Sequence, residues 1–235
     1  MNKPKFWGLV PAAGSGSRLG AEMPKQYIDL VGKPVIRHTL DALRRVESLS
    51  GIVVGLAKGD QWWESVVTAS NQCFDTYIGG TSRAETVLNG LQYLRYHAKS
   101  DDWIIIHDAA RPCVRPADVE RLIAARGNGL SGAILAVAVS DTLKLSSEKK
   151  YVEQTISRDR LWYAQTPQIF PYRVLRDALE ACDLTDISDE SSAMELAGYT
   201  PNLVKGRSEN LKVTTREDLE LAKVILGARI EREGR

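Results

Sequence analysis

The sequence predicts an α/β protein, a mostly parallel sheet covered by helices on both faces. Three observations carry that expectation. Short apolar runs alternate with helical patterns along most of the chain. The runs are brief, β-branched and bounded by turn residues or charges, as strands buried on both faces are. One glycine-rich loop follows the first strand, and a second joins a probable strand to a helix.

Taken in order, residues 7–11, 52–56, 103–107 and 133–139 read as buried strands. Between them, Ile36, Leu40 and Leu43 recur at helical spacing behind Pro34, and Val87, Leu91 and Leu94 do so behind Arg83 and Ala84. One segment departs from the rhythm. Residues 141–146 and 151–157 read as two strands joined by the charged turn Ser147, Glu148, Lys149 and Lys150. Such a hairpin is marginal alone in water, so it either packs on its own domain or projects as an arm toward a second subunit. The expected organisation is a single domain over residues 1–235.

Composition narrows the function classes. With 43% hydrophobic and 26% charged residues and a formal charge of +1, the chain has no global basic field for nucleic acid or anionic membrane. Any positive charge that matters must be local. Cys73, Cys113 and Cys182 form no CxxC pair, so neither a disulfide framework nor a zinc knuckle is expected and a reduced cytoplasm is the simplest setting. The first residues lack the apolar run of a signal peptide, and no stretch approaches the ~20 apolar residues of a membrane helix.

The strongest local signal is Pro11-Ala12-Ala13-Gly14-Ser15-Gly16-Ser17-Arg18-Leu19-Gly20, directly after the first strand. Small residues let backbone N–H groups approach a triphosphate closely. Arg18 and Lys25 then supply charge, one as a planar fork and the other as a mobile point charge. A Walker loop is excluded, because Gly32-Lys33 is followed by Pro34. A dinucleotide fingerprint is excluded too: Leu19 stands where its third glycine belongs, and no acid ends the next strand. The remaining alternative is a plain tight turn with solvated Arg18 and Lys25.

A second loop, Gly79-Gly80-Thr81-Ser82-Arg83-Ala84-Glu85-Thr86, sets glycines beside a helix N-terminus, where outward N–H groups favour anions and carbonyl edges. Ser82 as N-cap with Glu85 as capping partner is the structural account of the same residues, and both readings can hold. A third constellation, His107-Asp108-Ala109-Ala110-Arg111-Pro112, falls at the carboxyl end of a strand, where open α/β sheets bind ligands. Asp108 there suits magnesium, which takes a carboxylate, waters and phosphate oxygens. An Asp108–Arg111 ion pair within a turn is the alternative. His107 reads as a packing residue and receives no catalytic part.

Together these strings, with Pro24-Lys25-Gln26-Tyr27 between the first two, resemble the 2-C-methyl-D-erythritol 4-phosphate cytidylyltransferase family. The likeness continues in order through Asp141-Thr142-Leu143-Lys144, Thr155 to Arg158, Leu161-Trp162, Thr166-Pro167-Gln168, Asp189-Glu190-Ser191-Ser192-Ala193, Gly206-Arg207 and Asn210-Leu211-Lys212-Val213-Thr214. It thus runs from about Trp7 to Leu219. The resemblance implies the Rossmann-like fold of the nucleotide-diphospho-sugar transferase type with a protruding β-hairpin arm over residues 140–158. It implies a homodimer, because in such enzymes the arm supplies Thr142 and Arg158 to the neighbouring site. It also implies CMP transfer from CTP, with a divalent metal such as Mg2+, to methylerythritol 4-phosphate in non-mevalonate isoprenoid synthesis.

Carried over residue by residue, Arg18, Lys25, Arg158 and Lys212 are the catalytic set. Ala12, Ala13, Gly14, Ser15, Gly16, Gly80, Arg83 and Thr86 are the nucleotide contacts. Asp108 serves the metal and the substrate, with Arg111, Thr142, Arg158, Thr166 and Lys212 on the sugar-phosphate side and Asn210 a weaker candidate for the metal. Thr86 and Thr81 stand where relatives more often carry a serine and an acid, which removes no charge that the chemistry needs. The residue inventory suits that reaction, because an anionic phosphate nucleophile needs no activated serine, cysteine or histidine. Two other readings stay open from sequence alone: a cytidylyltransferase for ribitol 5-phosphate or a similar polyol phosphate, and a CTP-binding module without turnover.

Overall fold

The computed structural model describes residues 3–14, 23–68, 74–127 and 129–233. Its centre is a seven-stranded sheet in the order β11-β7-β10-β6-β1-β4-β5. Strands β1 (Phe6–Pro11), β4 (Leu49–Leu56), β5 (Asp75–Ile78) and β6 (Trp103–Ile106) run parallel to one another. On the far side, β11 (Asn202–Lys205) runs parallel to β7 (Ala133–Ala138). Between the two groups lies β10 (Trp162–Pro171), antiparallel to both β6 and β7. The four strands expected from sequence are β1, β4, β6 and β7 with ends moved by up to three residues; β10 was not among them.

Residues alternate along each strand between two cores. Val10, Val54, Ile105 and Leu135 face one side, where they meet Ile36, Leu40 and Leu43 of α1 (Val35–Arg44) and Val119, Leu122 and Ile123 of α4 (Pro116–Ala125). Leu9, Val53, Ile104, Ile106 and Ile134 face the other, against Val87, Leu91 and Leu94 of α3 (Arg83–Leu94), Leu175 and Leu179 of α5 (Tyr172–Ala181) and Met194 of α6 (Glu190–Leu196). Each large side chain so buried contributes about 1.5–3 kcal/mol of hydrophobic stabilisation. The helix starts follow local chemistry: Pro116 occupies the first turn of α4, where its missing N–H costs nothing, and Ser82 caps α3 by accepting from the Glu85 N–H.

A smaller core lies where the two-residue strands β2 (Asp29–Leu30) and β3 (Lys33–Pro34) meet the last helix, α7 (Arg216–Glu233). There Leu30, Val35, Cys113, Val213, Ala222 and Leu226 pack together. The helix α2 (Trp63–Thr68) completes the covering elements, and none of the helices among the described residues is long and apolar enough to cross a membrane. The expected hairpin is present as β8 (Leu143–Ser146) and β9 (Val152–Ile156), a two-stranded sheet of its own turning through Lys150 at φ 62°. Leu145, Tyr151 and Val152 on it are exposed.

Parallel pairing brings the carboxyl ends of β1, β4, β5 and β6 to one edge, where the sequence motifs fall. The antiparallel β10 reaches the same edge by a bulge. Its register shifts between Ala164 and Gln168, which turns the buried Thr166 toward the end of β6.

The seam between β7 and β10 leaves no room for a side chain at Gly132, whose φ is +72° and whose added Cβ would lie 2.2 Å from the Ile169 carbonyl oxygen. Both the backbone region and the contact oppose an L-residue. Gly132→Ala is expected to lower stability by at least about 2 kcal/mol, read as a lower urea midpoint at unchanged slope; an unshifted midpoint would count against this packing.

Candidate active site

A cavity of about 450 Å3 opens at that carboxyl edge, bordered by the first loop, Lys25, the second loop, the end of β6 and Lys212. The first loop is held from beneath. The Ala12 N–H donates to the Gly55 carbonyl at 2.8 Å, and the buried Gln26 amide donates to the carbonyls of Ala12 at 2.8 Å and Gly14 at 3.1 Å. Gln26 sits in the single 3-10 turn Lys25–Tyr27 behind Pro24, which also directs Lys25 to the cavity. Ser15, Gly16 and Arg18 lie outside the described residues.

The second loop packs directly on the first. A Cβ on Gly79 would stand 2.5 Å from the Ala13 Cβ, so this approach admits only glycine. Thr86 is buried; its hydroxyl accepts from the Gly80 N–H at 3.0 Å and donates to the Ser82 carbonyl at 2.8 Å. Gly80 and Thr86 therefore border the cavity with their polar groups bonded within the loop. The Glu85 carboxylate bonds the Thr81 N–H at 2.6 Å and hydroxyl at 2.7 Å, where a capping partner of Ser82 was expected. Those bonds draw its titration below the usual carboxylate range, the Thr81 hydroxyl foremost.

The wall beyond is ionic. Asp108, nearly inaccessible to solvent, receives Arg83 Nε at 2.8 Å on one oxygen and Lys212 Nζ at 2.8 Å on the other, with Arg111 Nε at 3.6 Å. Burial alone would raise its titration, but Arg83, Lys212 and Arg111 outweigh burial and hold the carboxyl far below the usual range. The same balance keeps Arg83 charged: burial opposes its charge, while Glu190 and Asp108 support it more strongly. Glu190, fully buried at the start of α6, accepts the Arg83 fork with both oxygens at 2.7 and 3.0 Å. Arg111 also donates to the Asn210 carbonyl at 2.7 Å, and burial lowers its titration. The Asp108–Arg111 ion pair weighed from sequence is thus present as part of a larger network.

Behind Asp108 runs a chain of polar bonds. Thr166 accepts the Asp108 N–H at 3.0 Å, and its hydroxyl lies 3.0 Å from His107 Nδ1. His107 Nε2 lies 3.2 Å from the Arg111 carbonyl, which can only accept. Burial pushes His107 down to about 4. The neutral ring therefore carries its proton on Nε2, and Thr166 donates to Nδ1. Both side chains position Asp108, and His107 does not border the cavity.

Among the described residues no group of three or more His, Cys, Asp or Glu side chains could hold a metal ion. A magnesium ion usually takes one or two carboxylates and completes its octahedron with water and substrate phosphates. Asp108, ionised at the cavity wall, offers one such carboxylate, with Arg83 on one oxygen and Lys212 on the other.

Of the residues expected from sequence, Ala12, Ala13, Gly14, Lys25, Gly80, Arg83, Thr86, Asp108 and Lys212 border one cavity. Arg111 and Thr166 stand behind it. Thr142 and Arg158 do not join them: both are exposed at the base of the hairpin, where Arg158 donates to the Ser140 carbonyl. Sequence reasoning missed Gln26 and Glu190, which stood inside recognised strings without a role.

Comparison with known proteins follows the same geometry. The family model for 2-C-methyl-D-erythritol 4-phosphate cytidylyltransferase matches residues 7–228. An enzyme of that description from Dechloromonas aromatica is 47% identical over 228 residues, covering 96% of this chain and 99% of the relative. One from Pseudomonas aeruginosa is 47% identical over 221 residues, covering 92% and 94%. A crystal structure of 4-diphosphocytidyl-2C-methyl-D-erythritol synthase superposes with a TM-score of 0.84 at 38% identity over 95% of this chain and all of the other. The Francisella tularensis cytidylyltransferase gives 0.81 at 31%, over 94% and 99%.

The buried neutral His107 ties stability to pH. Its folded-state titration is depressed to about 4 from about 6.5 in the unfolded chain. Its contribution is therefore present above pH ~6.5 and is lost as pH falls from there toward ~4, about 3 kcal/mol in all. His107→Gln should flatten that part of the stability-against-pH curve, measured by urea unfolding between about pH 4 and 7; a wild-type slope in the variant would remove His107 from the effect.

Proposed function

The chain belongs to the 2-C-methyl-D-erythritol 4-phosphate cytidylyltransferase family, and from that premise we propose how its residues divide the work. The enzyme transfers the cytidylyl group of CTP to 2-C-methyl-D-erythritol 4-phosphate in isoprenoid synthesis by the non-mevalonate route. A phosphate oxygen of the acceptor attacks the α-phosphorus of CTP, the bond to the β-phosphate oxygen breaks, and pyrophosphate leaves. The observation that carries the residue assignment is the single cavity joining the first loop and Lys25 to the Asp108–Lys212 wall.

The nucleophile arrives as an anion, so the protein's task is to hold two anions in line and to stabilise negative charge in the transition state. Ala12, Ala13 and Gly14, with Gly80, Arg83 and Thr86 opposite, receive the nucleotide; Ser15, Gly16 and Arg18 complete that loop in the assignment. Lys25 and Arg18 neutralise the α-phosphate and the leaving pyrophosphate. Lys212 receives the acceptor's phosphate, with Arg111 and Thr166 holding Asp108 from behind. Asp108 would hold a divalent magnesium ion, which would supply Lewis-acid neutralisation of the phosphate oxygens.

The second half of the acceptor site is assigned to another copy of the chain. Thr142 and Arg158 are exposed at the base of an arm whose Leu145, Tyr151 and Val152 are uncovered, which suits exchange of arms in a homodimer. The enzyme is assigned to the cytoplasm, in keeping with Cys113 and Cys182 remaining free thiols.

Magnesium-dependent pyrophosphate release from CTP is expected with methylerythritol 4-phosphate and not without an acceptor. Faster turnover of ribitol 5-phosphate, by kcat/KM, would overturn the substrate assignment. Arm exchange has its own test, because Lys25 and Arg158 then meet only across chains. Co-expressed Lys25→Ala and Arg158→Ala chains should recover about a quarter of wild-type activity, since half the dimers are mixed and each has one intact site. No recovery above the separate variants would return the arm to its own subunit.

A further inference from the structure

The acceptor side of the cavity is organised by a residue that does not border it. Glu190 opens α6, and both of its oxygens are taken by Arg83, Nη1 at 2.7 Å and Nη2 at 3.0 Å. That grip leaves Arg83 Nε to reach Asp108 at 2.8 Å, whose other oxygen carries Lys212 at 2.8 Å. Glu190, Arg83, Asp108 and Lys212 thus form one line of alternating charges from the helical layer to the cavity. We propose that Glu190 is a positioning residue of the cytidylyl transfer, fixing Arg83 so that Asp108 aims the Lys212 ammonium at the phosphates.

The start of α6 is built to be rigid. Asp189 caps it by accepting the Ser192 N–H at 2.9 Å, while Gln168 of β10 donates to Asp189 at 2.7 Å and accepts the Ser191 N–H at 3.0 Å. The strand that holds Asp108 from behind through Thr166 therefore also anchors the carboxylate that holds it in front through Arg83. A buried ion pair is a poor device for stability alone, because desolvation consumes most of its Coulomb energy. Orientation is what a two-oxygen, two-nitrogen fork supplies beyond a single contact.

Charge gives the second reason. Asp108 and Glu190 offset two of the three charges of Arg83, Arg111 and Lys212. Without the Glu190 charge, three cations share one carboxylate, and Arg83 draws Asp108 away from Lys212. Two of the five Arg83 N–H donors remain uncommitted among the described residues, and Arg83 borders the cavity, so the same fork also sets the face that Arg83 presents to nucleotide.

The inference rests on the reaction assigned above, and the wild-type assay separates the two: no pyrophosphate release from the wild type overturns the reaction, not this role. Glu190→Gln keeps the shape and removes the charge. It is expected to lower kcat about 10- to 100-fold with KM for CTP within about threefold. Placed on Arg83→Gln, it should cost less than about a further twofold, because its effect passes through Arg83. Glu190→Asp, which restores the charge on a shorter stem, should recover part of kcat. A folded Glu190→Gln enzyme within about twofold of wild-type kcat, or a full additive loss on the Arg83→Gln background, overturns the proposal. Should Glu190→Gln fail to fold, Arg83→Lys carries the test: its point charge cannot span both carboxylates, and kcat within about twofold of wild type overturns the proposal equally.

Discussion

The structure depends on one buried carboxylate. Asp108 stands at the end of β6, almost inaccessible, and a lone ionised carboxylate there would cost several kcal/mol. The fold meets that requirement from three directions. Arg83 comes from the start of α3, Arg111 from three residues along the same loop and Lys212 from the segment before α7, while the Thr166 hydroxyl, in the bulge of β10, accepts the Asp108 backbone N–H. Each connection fixes one loop of the carboxyl edge, so ionising Asp108 and assembling the cavity are the same event.

That dependence explains which parts were legible in the sequence. Strands β1, β4, β6 and β7 announce themselves because residues along each enter both cores, leaving brief, nearly continuous apolar runs. β10 does not, since Gln165, Thr166 and Gln168 interrupt it with polar groups that the structure buries and bonds internally. The antiparallel strand in the centre of the sheet is therefore written in long-range hydrogen bonds, not in local pattern.

The site divides in the same way. Glycines, lysines and Asp108 signal phosphate chemistry by type and by their position after strands. Glu190 carries no such signal, because its partner Arg83 is 107 residues away. Gln26 is similar: its amide spans the carbonyls of Ala12 and Gly14, a bond that only the folded loop creates. Gly79 was legible as a glycine beside a helix N-terminus, yet the structure demands it for closeness, since Ala13 occupies the space of any Cβ. Thr142 and Arg158 were named by resemblance alone, and neither borders the cavity among the described residues.

A chain of formal charge +1 holds little positive field in general, so cations useful to a phosphate reaction must be gathered and kept from collapsing onto one another. Asp108 and Glu190 do both. They draw Arg83, Arg111 and Lys212 into one wall and leave it with one more cation than carboxylates. A wall without the two acids would repel its own members and be mobile; a wall with a third acid would be neutral and would not attract phosphate. The excess of a single charge, held rigidly at a surface that excludes water behind it, favours an arriving phosphate without a deep ground-state trap, which is the balance a turnover enzyme needs.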